Sequence, residues 1–80
     1  MSPKGYSLRL VQANQAADPE HIGVRLGRYC IAKDIPVMEI ARKFSVSRMA
    51  VYQWFVGASV PHKARVEKIE RFLDKANSSK

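Results

Sequence analysis

Prolines and glycines at Pro3, Gly5, Pro19, Pro36, Gly57 and Pro61 punctuate this chain so closely that only short elements fit between them. Proline fits a helix only in its first turn, and Pro19, Pro36 and Pro61 each stand just ahead of a helix-like apolar pattern. Eighty residues make one small domain, which buries only about 60% of the surface its unfolded chain exposes. Cys30 is the single cysteine, so no intramolecular disulfide can staple the core, and a reducing compartment is expected.

Residues 1–17 form an N-terminal arm. Tyr6, Leu8 and Leu10 alternate like a short strand, while Leu8, Val11 and the run 13–17 fit a helix equally well. Residues 19–33 read as a first helix, with Asp18 as N-cap, Pro19 at the first helical position and Glu20 at the positive end of the dipole. Ile22, Leu26 and Tyr29 make its core stripe, with Cys30 at the edge. Val24 and Ile31 lie on the opposite side, to be covered by the arm or by a second subunit.

Pro36 opens a second helix with Val37, Ile40, Ala41 and Phe44 inward and Glu39, Arg42 and Lys43 outside. Residues 45–47 break it, Ser47 caps a third helix over 48–56, and Gly57 stops that one. Pro61 opens a last helix over 61–76 that buries Val66, Ile69, Phe72, Leu73 and Ala76, leaving 77–80 as a frayed tail. The expected fold is therefore all-α, a four- to five-helix helix-turn-helix domain over 18–76 with an N-terminal arm.

A net charge of +7 and a pI near 10.0 point to a polyanionic partner. The excess is spread, since each of the stretches 1–36, 37–57 and 58–80 carries more basic than acidic residues. At about 100° per residue, Trp54 and Phe55 fall beside Val51 on one side of the third helix. Met49, Tyr52, Gln53 and Val56 fall on the other and Arg48 joins them at the helix start, a face too apolar to be merely solvated. In a major groove these types have partners: Gln bonds an adenine edge, Arg a guanine edge, and apolar groups pack on thymine methyls.

Residues 37–61 resemble the Cro and phage-repressor (Xre-like) helix-turn-helix family. Ile40 and Ala41 match its positioning helix, Phe44 the residue closing that helix, Val46 the turn, Val51 and Trp54 the buried pair of the recognition helix, and Gly57 and Pro61 the ending. The resemblance implies base reading by Arg48, Met49, Tyr52 and Gln53, with Ser47 at a phosphate. Lys43, His62, Lys63 and Arg65 are further phosphate candidates, the last three because free N–H groups at a helix start favour anions. Lys4 and Arg9 on the arm are candidate groove contacts.

Three positions depart from the family: Ser45 replaces its turn glycine, and Phe55 and Val56 replace polar residues. A left-handed Ser would cost about 1–2 kcal/mol, so a turn of different shape is expected. The family domain has five helices where one long helix follows Gly57 here, so a dimer contact is expected to replace the missing one.

Other chemistries find little support. Cys30 reads as a core residue, and His21 and His62 lack partners at metal-ligand spacing. No phosphate loop, nucleophile elbow or carboxylate pair appears, so no enzyme, metal or cofactor is expected. No apolar run is long enough to span a membrane. The expected function is a sequence-specific regulator on double-stranded DNA, a homodimer on a two-fold site, in the cytoplasm at the nucleoid, or in a host cytoplasm if phage-encoded. The alternatives are a protein-binding helix-turn-helix acting on the transcription machinery through Met49, Tyr52 and Val56, and a nonspecific nucleic-acid binder.

Overall fold

Five helices follow one another along residues 6–78, the part of the chain that the computed structural model describes: α1 (Leu8–Ala16), α2 (Ile22–Ala32), α3 (Val37–Phe44), α4 (Arg48–Phe55) and α5 (Lys63–Ser78). The chain is all-α, with no strand among the described residues.

The arm is a helix. Ser7 caps it by accepting the Leu10 N–H at 3.1 Å, and α1 then packs across α2. Asn14 is fully buried, and its Nδ2 donates to the carbonyls of Val24 (3.2 Å) and Phe55 (2.6 Å), tying α1 to α2 and to the end of α4. Just before the helix, buried Tyr6 donates its hydroxyl to the Ile35 carbonyl and tilts its ring against Phe55. The Val24 side of α2 is thus covered from within the chain, and the fifth helix precedes the helix-turn-helix instead of following it.

α2 starts later than its sequence suggests. Asp18 Oδ1 accepts the Glu20 N–H at 2.9 Å and its carbonyl accepts the His21 N–H, so residues 18–21 form a turn in place of a first helical turn. Asp competes for the backbone in this local manner, and Pro19 suits the turn as well as a helix. The N-cap is His21, whose Nδ1 accepts from Gly23 and Val24.

The ends of α2, α3 and α4 share one geometry. In each, a residue in the left-handed region (Asp34, Ser45, Gly57) is flanked by a bond spanning three residues and one spanning five. For α3 these run from Ser45 N–H to the Arg42 carbonyl (3.4 Å) and from Val46 N–H to the Ala41 carbonyl (2.9 Å). That is the Schellman motif. Ser45 sits at φ 57°, ψ 47°, so the turn keeps the shape that glycine would give it, against expectation. Arg65 supports it from α5, donating Nε to the Phe44 carbonyl (3.1 Å) and Nη2 to the Ser45 carbonyl (3.3 Å).

Pro36 is the N-cap of α3, not its first residue, and Pro61 is buried two residues ahead of α5. The helix α5 reaches Ser78, so two residues of the expected frayed tail are helical; 79 and 80 lie outside the described residues. The core joins the inward faces of α2 to α5 through Leu26, Ile40, Val51, Phe55, Ile69 and Leu73.

Two substitutions test these supports. Asn14→Ala should lower unfolding free energy by about 2 kcal/mol, because it strips the partner of two buried carbonyls. Ser45→Gly should raise it by about 0.5–1 kcal/mol, the left-handed penalty less the entropy glycine adds to the unfolded chain. Urea melts read both; an unchanged midpoint for Ser45→Gly would contradict the strained turn.

Candidate nucleic-acid interface

The inward side of α4 is fixed by Val51, Trp54 and Phe55, all buried among α2, α3 and α1. Two glycines let α2 approach closely. A Cβ on Gly23 would stand 2.7 Å from the Trp54 carbonyl oxygen, and one on Gly27 would stand 2.7 Å from Asn14 Nδ2 and 2.8 Å from Phe55 Cγ. Trp54 and Phe55 are therefore core residues, and Phe55 offers no surface to a second subunit.

The remaining side of α4 is open. Arg48, Met49 (66% exposed), Tyr52 (39% exposed) and Gln53 all face outward, with Val56 half-buried behind them. Ser47 accepts the Ala50 N–H at 3.1 Å, which leaves its hydroxyl hydrogen to donate outward from the positive end of the helix. The sequence-predicted base-reading residues thus share one surface.

Alongside them α1 builds a wall that the sequence did not reveal. Ser7, Arg9, Leu10 and Ala13 face Tyr52, Gln53 and Val56 across an open, mostly apolar groove of about 560 Å³. Arg9 therefore lies next to the exposed face of α4. The pattern of residues 1–17 fits strand and helix equally, so it does not announce Leu10 and Ala13 as neighbours of α4; on a helix, positions 9, 10 and 13 share a face. Lys4 lies outside the described residues.

The other phosphate candidates divide. His62 and Lys63 are exposed at the start of α5, with His62 Nδ1 accepting the Ala64 N–H. Arg65 is committed to the carbonyls of α3 and the turn, which makes it a support of the motif. Lys43 lines a separate groove between α3 and α5.

Among the described residues no three His, Cys, Asp or Glu side chains are placed to hold a metal ion, and no helix is long and apolar enough to cross a membrane. Burial, helped by the charge of Glu39, pushes the Cys30 thiol up to about 12. Burial first, then Cys30, Tyr52 and Asp34, raises the Tyr6 phenol as well. Neither group is poised for chemistry. No family model, curated protein or solved structure matches the chain.

Both shifts predict alkaline weakness. The unfolded chain ionises at the ordinary values of 9.0 for Cys30 and 10.0 for Tyr6, while the folded chain holds both protons to higher pH. Above the thiol value the unfolded state binds fewer protons, so stability falls as pH rises. The melting temperature should decline from about pH 9 upward. It should decline less steeply in Tyr6→Phe and in Cys30→Ala, whatever their starting stability; parallel curves for variants and parent would refute the linkage.

Proposed function

We propose that this protein is a sequence-specific double-stranded DNA-binding regulator of transcription, resembling the Cro and phage-repressor class, that lays α4 in the major groove. The supporting observation is the α4 surface itself: Arg48, Met49, Tyr52 and Gln53 stand outward in register on a helix whose opposite side is locked to α2 and α3. A reader of base edges needs this rigidity, because a bidentate bond tolerates little misplacement.

Gln53 pairs its amide with an adenine edge and Arg48 its guanidinium with a guanine edge, while Met49 and Tyr52 pack on thymine methyls. Ser47, at the start of α4, donates to a phosphate, and Arg9, Lys63 and His62 bind the backbone on either side. Such a regulator acts at the nucleoid, in the cytoplasm or in a host cytoplasm.

A second copy is not needed to cover α2 or Phe55, which α1 already covers. Any two-fold arrangement is therefore expected to form on the DNA. The apolar groove between α1 and α4 favours one other reading, in which Tyr52 and Val56 grip a side chain of a transcription-machinery protein.

Selection of bound sequences from a random duplex pool at about 150 mM salt separates the two, since nonspecific attraction is weak there. An enriched motif is expected: a palindrome if two copies bind, a single half-site if one does. Arg48→Ala and Gln53→Ala should each weaken the preferred site by about 1–3 kcal/mol, with random duplex affinity nearly unchanged. Failure of any sequence to enrich would overturn sequence-specific reading; strongly salt-dependent binding to every duplex would then mark a nonspecific binder, and no duplex binding the protein-binding alternative.

A further inference from the structure

Between α3 and α5 lies a second groove, of about 360 Å³, lined by Lys43, Phe44, Lys68, Arg71, Phe72 and Lys75. It contains four cationic residues, no acidic residue and no residue of α4. The sequence produces this by sorting charge around α5. Lys68, Arg71 and Lys75 recur at helical spacing on one stripe beside half-buried Phe72, while Glu67, Glu70 and Asp74 fall on a neighbouring stripe about 100° away. From α3, the Lys43 ammonium stands 5.3 Å from the centroid of the Phe72 ring. Tyr29 and Phe44 meet that ring edge-on, at centroid distances of 5.6 and 6.0 Å.

Like charges gathered around a small apolar floor favour an anionic occupant, and the shape selects its kind. Single-stranded nucleic acid would stack a base on Phe72, but a cation stands over that ring and two aromatic neighbours hold it edge-on. A duplex is much wider than the groove and would bring its phosphates against the Glu67, Glu70 and Asp74 stripe. A slender acidic peptide avoids both conflicts, because one apolar side chain fills the floor while its flanking carboxylates reach the basic rim.

We propose that the α3/α5 groove binds an acidic peptide segment of a partner protein, seating one aliphatic side chain against Phe44 and Phe72 between Lys43, Lys68 and Arg71. This surface is independent of what α4 reads.

The test is a titration of the isotope-labelled full chain, followed by amide NMR at about 150 mM salt, with a synthetic peptide in which one Leu is flanked on both sides by Glu and Asp. Shifts are expected at 43–44 and 68–75, with a dissociation constant on the order of 10–100 μM. The double variant Lys68→Gln/Arg71→Gln should weaken binding by about tenfold, while Arg48→Ala/Gln53→Ala should leave it unchanged. Lys68→Glu/Arg71→Glu should instead take up a peptide with Lys in place of the acids, which shows that the variant groove remains folded. Shifts centred on 48–56, or equal affinity for a peptide with Ala in place of Leu, would overturn the proposal. A random-sequence duplex that displaces the peptide from these same residues would overturn it in favour of nucleic acid.

Discussion

Much of this structure depends on how closely α2 lies against α4. At Gly23 and Gly27 no side chain of α2 separates the two helices, and the backbone and Cβ of Trp54 and the ring of Phe55 occupy the space a Cβ would need. The close approach fixes the rotation of α4 about its own axis. Once Trp54 and Phe55 point into α2, the helical period turns Met49, Tyr52 and Gln53 outward, while Arg48, in line with Phe55, is exposed because it stands at the very start of the helix. Asn14 completes the arrangement by holding carbonyls of both helices, so α1 is anchored to the same joint that aims the candidate reading face.

Helices whose apolar residues recur at regular spacing were legible in the sequence. Val37, Ile40, Ala41 and Phe44 are all buried, Ser47 caps as its position before an amphipathic run implies, and Gly57 ends α4 with positive φ. The hidden features rest on contacts distant in sequence or on local competition for backbone. Asn14 bonds a carbonyl 41 residues away, which no periodicity within 1–17 can announce. Asp18 looks like a helix cap, yet its carboxylate serves the turn, and an imidazole replaces it three residues later. The outward set on α4 was readable for the same reason as the core; the wall that α1 builds beside it was not.

Ser45 shows how a local cost is offset by tertiary structure. Alone, it argues against a left-handed turn, but Arg65 reaches across 20 residues to bond the carbonyls on either side of that position. Arg28 acts similarly at the end of α1, where its Nη2 donates to the Gln15 carbonyl at 3.1 Å and lies 3.4 Å from that of Ala17. A guanidinium at a helix C-terminus satisfies unpaired carbonyls and also meets the negative end of the dipole. These two arginines belong to the architecture of the domain, although composition alone counts them with the charge available to a partner.

That distinction changes what a net charge of +7 means. Removing Arg28 and Arg65 from the surface inventory, and assigning Lys43, Lys68, Arg71 and Lys75 to the α3/α5 groove, leaves α4 with Arg48 as its single basic side chain. Attraction through α4 then depends on a few well-placed groups, namely Arg48, the open start of the helix above Ser47, and Arg9 on the neighbouring wall. A face so modestly charged is suited to discriminating among partners by shape and hydrogen bonding, because charge density alone would hold any duplex equally. Four cationic residues gather elsewhere, around the aromatic floor of the α3/α5 groove. Part of the excess charge that first points to nucleic acid thus lies on a surface separate from α4, and the physical demands of the two surfaces are different.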